Sequence, residues 1–183
     1  MYKTLQNAFA PYDRHGAMCL GISRSNRLGR QVLGLQKTAI TQADYPEHNM
    51  LNLSFKSENF DFCISDQVLE HIEGDPFKAF SETARVIKRG GRICHTTCLL
   101  NGVHGAPHDF WRFTPRALSL LASSCGLESE LVGGWGNREA QTILNSEFRM
   151  TKIPDNPNNP IYKLAMRNEE EYPVSTWIIA KKP

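Results

Sequence analysis

Short apolar runs at residues 17–22, 38–42, 60–65, 92–100, 128–135 and 174–181 read as buried strands. Between several of them the hydrophobic spacing lengthens to every third or fourth position. Leu28, Val32 and Leu35 predict a short basic helix over residues 24–35, weakened by Gly29. Further on, Asp75 can cap a helix whose first turn holds Pro76, where a missing N–H costs nothing, with Phe77, Phe80, Ala84 and Ile87 as its apolar stripe. Lys88 and Arg89 suit its negative end, and Gly90 or Gly91 closes it. Thr114 and Pro115 repeat that start for a helix through Leu118, Leu120, Leu121 and Cys125, stopped by Gly126.

A strand, a crossover helix and a glycine turn into the next strand make one unit of an open parallel sheet. Ligands bind beyond the carboxyl ends of such strands, which puts Ser65, Asp66 and Gln67 at a site mouth and Asp44 at the tip of the second strand, before Pro46 ends it. Residues 47–59 are polar with apolar anchors at Met50, Leu51, Leu53 and Phe55, and read as an irregular connection. Residues 101–113 form a loop dense in His, Trp and Arg. Residues 151–173, with four prolines and several asparagines, are expected to be an irregular insertion, and residues 1–16 an N-terminal extension, of one domain spanning residues 1–183.

The formal charge is only +2, with acids and bases interspersed, so a dedicated nucleic-acid surface is not expected. No apolar stretch approaches the roughly 18 residues of a membrane span, and no basic segment leads an apolar run at the start. The expectation is a soluble, cytoplasmic chain whose cysteines (Cys19, Cys63, Cys94, Cys98, Cys125) are reduced and mostly buried. No metal is expected. Cys94 and Cys98 share one face of a strand without a second cysteine pair, His95, His104 and His108 lack matched ligand spacing, and His95 also falls in a core position of its strand.

Several motifs then fall in order: residues 49–55 (Asn-Met-Leu-Asn-Leu-Ser-Phe), Phe60-Asp61, residues 67–71 (Gln-Val-Leu-Glu-His), residues 85–91 (Arg-Val-Ile-Lys-Arg-Gly-Gly) and residues 111–114 (Trp-Arg-Phe-Thr). Together they resemble the class I S-adenosylmethionine-dependent methyltransferases, of the small-molecule "type 11" group. The resemblance implies an α/β, Rossmann-like open sheet of seven mostly parallel strands, the last antiparallel, with helices on both faces. It implies S-adenosylmethionine as cofactor, with Gly21 near its methionine part, Asp44 on the ribose hydroxyls, Asn49 and Met50 at the adenine, and Ser65, Asp66 and Gln67 along the boundary with substrate. The chain departs from the family pattern in having Cys19 before Gly21 and Ile22-Ser23-Arg24-Ser25-Asn26 after it, in Asn49 where Asp is usual, and in a short span between Gly21 and Asn49.

Methyl transfer needs in-line placement and often the removal of one proton, so His71, His104 and His108 are the candidate bases, with Trp111 and Arg112 as substrate contacts. Each has a plainer role beside the chemical one. His71 would pack the turn before the helix, and the loop of His104 and His108 would be pinned by Trp111 and by an Arg112–Asp109 pair. Asp44 could be an ordinary turn residue, Asp61 a structural one, and Glu70 a partner of Arg85 or Arg89. The implied function is methyl transfer to a small-molecule or glycan-type acceptor, with a homodimer left open. The alternative is a binding or assembly module that keeps the scaffold without the cofactor pocket, in which side chains would fill the space beside Gly21.

Overall fold

The structure, a computed structural model, describes residues 1–105, 108–144 and 153–183. Its strands are β1 (Met18–Ile22), β2 (Ala39–Ala43), β3 (Phe60–Asp66), β4 (Ile87–Cys98), β5 (Glu128–Trp135) and β6 (Ser175–Lys181). They form one six-stranded sheet in the order β2-β1-β3-β4-β6-β5. The ladders β1–β2, β1–β3 and β3–β4 are parallel, and β6 runs antiparallel between β4 and β5. The last strand is thus the antiparallel one, as expected. The strand that would make a seventh is absent among the described residues. The chain leaves β2 at Ala43 and reaches β3 at Phe60 through residues 44–59, which form no crossover helix. β2 is therefore the edge of the sheet.

Along the inner strands successive side chains enter opposite cores, which is why those strands read as continuous apolar runs. Leu20, Ile22, Cys63 and Ile93 face one core together with Ala79, Phe80 and Ala84 of α2 (Pro76–Val86) and Leu118, Leu121 and Ala122 of α3 (Pro115–Ser124). Cys19, Phe62, Ile64 and Cys94 face the other, covered by Leu28, Val32, Leu33 and Leu35 and by Leu5 and Phe9 of α1 (Tyr2–Phe9). Leu5 and Phe9 are fully buried. At roughly 1.5–3 kcal/mol per buried apolar side chain they make residues 2–9 a cover for the sheet and not a loose leader.

Local chemistry accounts for the helix starts. Asp75 accepts from the Phe77 amide at 2.8 Å and Thr114 from the Ala117 amide at 3.1 Å, each ahead of its proline. The apolar stripes differ from expectation at two places, since Phe77 and Leu120 are exposed. The α2 helix also ends earlier than predicted, at Val86, and the chain passes straight into β4. Gly90 and Gly91 lie inside that strand, where the ladder with β3 shifts register, rather than at a helix end.

The predicted helix over residues 24–35 forms only as a short, wide-turned (π-type) helix at Leu28–Val32. Ser23 and Arg24 both take left-handed φ values (50° and 62°), which delays any helix. A Cβ at Gly29 would lie 2.7 Å from Ile40 Cδ1 and 3.0 Å from Ile64 Cδ1, so this turn is pressed onto the sheet. Within residues 151–173, taken as irregular, a short helix α5 (Pro160–Met166) is capped by Asn159. Asn137, ahead of α4 (Arg138–Leu144), donates to the carbonyls of Leu164 and Arg167 and so ties α5 to the end of β5.

Candidate functional site

The carboxyl ends of β1, β2 and β3 open into one cleft of about 480 Å³. That volume lies within the range of small-molecule sites. Ser23 and Arg24 follow β1, Asp44 and Tyr45 follow β2, and Gln67, Val68 and His71 follow β3; His48, Asn49, Met50 and Leu51 close one side and Phe110 another. The wall from residue 48 to 53 is held by α2. Arg85 donates to the carbonyls of Leu53 and Phe55, and Glu82, ion-paired with Arg85 at 2.8 Å, accepts from the Leu53 amide. Arg85 thus pairs with Glu82, whereas Glu70, its expected partner, lies elsewhere.

Asp44 stands at the β2 tip. Its Oδ1 accepts from the Arg24 amide at 2.8 Å, and its Oδ2 accepts nothing from the described residues. The carboxylate therefore braces the left-handed turn after β1 and keeps one oxygen for a ligand hydroxyl. Asn49 Oδ1 accepts from the Leu51 amide at 2.8 Å, so the carbonyl expected to meet an adenine amino group already holds a turn together. Met50 packs into the core beside it. Gly21 does not reach the cleft. A Cβ there would lie 2.8 Å from Gln42 Nε2, so the Gln42 side chain covers it, with both amide atoms buried and without a hydrogen-bond partner among the described residues. The open space begins two residues later, at Ser23 and Arg24.

Of the three residues expected at the β3 mouth, only Gln67 lines the cleft, at φ 56° with its amide bonded to the Thr96 carbonyl. Asp66 turns aside to accept from Thr96 Oγ1 at 2.6 Å, with Arg27 at 3.8 Å. Ser65 is fully buried, 2.8 Å from His95 Nδ1. Thr83 Oγ1 spends its proton on the Phe80 carbonyl, so it accepts from His95 Nε2–H and leaves Nδ1 to accept from Ser65. Burial pushes the His95 pKa down to about 3, and His95 is a neutral core residue, as its strand position suggested. Ser65 belongs to that core pair and not to the site.

Among the candidate bases, His71 alone lines the cleft. Its Nδ1 lies 2.5 Å from the His108 carbonyl, which can only accept, so Nδ1 is the donor and the neutral ring would carry its lone pair on Nε2. His104 lies behind it, ring centroids 5.1 Å apart, with Nδ1 3.1 Å from the Gly102 carbonyl and 3.2 Å from Asp109. His108 contributes its carbonyl to His71. Arg112 grips both oxygens of Asp109 at 2.5 and 2.7 Å and reaches the carbonyls of Asn101 and Gly102. That grip holds the Asp109 carboxyl well below its usual range. Trp111 Nε1 donates to the Ile72 carbonyl at 2.8 Å. The polar groups of Arg112 are thus spent on the loop itself and that of Trp111 on anchoring it to Ile72, and the residue this loop lends to the cleft is Phe110, which has no signal in the sequence. Its amide and that of Trp111 both donate to the Glu70 carbonyl, a contact between distant segments with no local signature. Tyr45, His48 and Glu73 are further wall residues found only in the structure.

The model of the methyltransferase domain family called Methyltransf_11 matches residues 6–95, the segment that supplies β1 to β3 and every wall of the cleft except Phe110. Residues 6–95 belong to the methyltransferase-domain family. No curated protein matches the sequence. The whole described fold is similar to an S-adenosylmethionine-dependent methyltransferase from Aquifex aeolicus, at 10% identity and a TM-score of 0.61, covering 100% of this chain and 89% of that one. It is also similar to the [4+2]-cyclase SpnF, at 16% identity and a TM-score of 0.61, covering 100% of this chain and 80% of that one. A third similar structure is phosphoethanolamine N-methyltransferase 2 of Haemonchus contortus in complex with S-adenosyl-L-methionine, at 14% identity and a TM-score of 0.60, covering 100% of this chain and 52% of that one. Likenesses at such identities speak for the class I methyltransferase fold. The presence of a cyclase among them shows that this fold alone does not set the reaction.

Proposed function

We propose that the chain is an S-adenosylmethionine-dependent methyltransferase acting on a small-molecule or glycan-type acceptor. The observation that carries this reading is that Asp44, with a carboxylate oxygen unpartnered among the described residues, and His71, whose Nδ1 is engaged by the His108 carbonyl, line one cleft at the strand ends. Asp44 would hold the ribose hydroxyls, Met50 and Leu51 would pack the adenine, and Gln67 would border the acceptor side. The cofactor supplies a methyl group on a sulfonium. His71 takes a proton from the acceptor at Nε2 while the His108 carbonyl keeps its ring in one tautomer. Phe110 and Tyr45, both partly exposed at the rim, exclude water from the acceptor side.

A second reading, a binding or assembly module that keeps the scaffold but has lost the cofactor pocket, is favoured by the covered face of Gly21 and by two non-glycine residues in the left-handed turn that follows it. Isothermal titration with S-adenosylmethionine and with its demethylated product separates the two. The enzyme reading expects saturable heat at micromolar protein; none at millimolar nucleoside would leave the scaffold.

A further inference from the structure

Behind the cleft, Glu70, Cys98 and His104 bring a carboxylate oxygen, a thiol sulfur and an imidazole nitrogen within 4.8 Å of one another. They arrive from three places: the turn after β3, the end of β4 and the loop beyond it. Glu70 and Cys98 are buried, and the His104 side chain is only 17% exposed. One Glu70 oxygen accepts from Thr97 Oγ1 at 2.7 Å, while Oε1 is buried with no hydrogen-bond partner among the described residues. An unpaired carboxylate oxygen in a protein interior is costly, and a cation is what would satisfy it.

We infer that these three side chains form a site for a divalent transition metal, with zinc the ion that suits a mixed sulfur, nitrogen and oxygen donor set. The surroundings are those of a ligand histidine. Asp109 sits on the Nδ1 side of His104 at 3.2 Å and is itself clamped by Arg112, an arrangement that orients an imidazole and leaves Nε2 to bind. Thr97 does the same for Glu70. Tetrahedral zinc with bonds of about 2.0–2.3 Å holds its donors about 3.3–3.8 Å apart, so closure by about 1 Å in the His104 loop completes the site. On binding, the Cys98 sulfur releases its proton to solvent and bonds the metal as thiolate; no electron changes hands. Three protein ligands leave a fourth position for water.

The consequence is mechanical. The metal would staple His104 and the end of β4 to Glu70, whose carbonyl already receives the amides of Phe110 and Trp111, and so hold Phe110 in the cleft wall. The site does not depend on methyl transfer, since none of its ligands lines the cleft.

The test is a titration of chelator-stripped full-length chain with Co²⁺. A thiolate-to-cobalt charge-transfer band in the near ultraviolet, with visible bands of tetrahedral intensity and displacement of both by Zn²⁺, is expected. Cys98→Ser should abolish the charge-transfer band, while Cys125→Ser, at the end of α3, should leave it unchanged. His104→Ala, checked for folding by circular dichroism, should weaken binding by more than the roughly 10–100-fold that outer-shell changes cost. Absence of the band in the unmodified chain at millimolar Co²⁺, or its survival in Cys98→Ser, would overturn the site.

Discussion

At the scale of single residues, the structure separates groups that look alike in the sequence. Asp44 and Asp66 both follow strands, yet one keeps a free oxygen on the cleft and the other is taken up by Thr96. Asp44→Asn keeps an acceptor for the Arg24 amide and removes the charge. It should weaken S-adenosylmethionine binding about tenfold or more, from the roughly 1.5–3 kcal/mol of a charge-assisted bond, with the thermal midpoint little changed. Unaltered affinity by calorimetry would remove Asp44 from the site. His95 makes a prediction in pH. Its folded pKa of about 3 lies below the roughly 6.5 of an unfolded histidine, so the unfolded chain binds the extra proton between these values. Its neutral form favours folding fully above pH 6.5, and that stability is lost as pH falls toward 3, by about 1.4 kcal/mol per unit. His95→Gln, which cannot titrate, should show a shallower loss in urea melts between pH 6.5 and 5; parallel slopes would refute the assignment.

At the scale of elements, the capped helix starts were legible because Asp75-Pro76 and Thr114-Pro115 act within four residues. The ends were not, because tertiary contacts decide them: α2 stops where Ile87 pairs with Phe60, and the helix expected over residues 24–35 is cut down to a short wide-turned one at Leu28–Val32, where Gly29 meets the sheet. The register shift in β4 offers a paired test. A Cβ at Gly90 meets nothing within 4 Å but sits at φ 75°, whereas one at Gly91 would lie 2.7 Å from the backbone oxygens of both Asp61 and Lys88. Gly90→Ala should therefore cost about 1 kcal/mol, from the left-handed backbone alone, and Gly91→Ala clearly more, since backbone cannot yield as a side chain can. Chemical denaturation decides it, and equal losses would contradict the geometry. Asp75→Ala should cost about 1 kcal/mol through the lost cap.

At the scale of the whole molecule, linkage distinguishes an enzyme from an inherited shape. A ligand at 100 times its dissociation constant stabilises the native state by about 2.7 kcal/mol, which in a chain of this size raises the melting midpoint by roughly 5–10 °C. S-adenosylmethionine should do so, and a flat thermal-shift series would favour the scaffold. The six strands, the two capped helices, and Asp44 and His71 beside the strand ends could be read from the sequence, since periodicity, caps and strand-end position are local properties; the antiparallel last strand was implied only by the family resemblance. The occupied face of Gly21, the burial of Ser65, the appearance of Phe110 in the wall and the meeting of Glu70, Cys98 and His104 were settled only by folding. Each joins segments far apart in the chain, and no local pattern records which distant atoms will share one space.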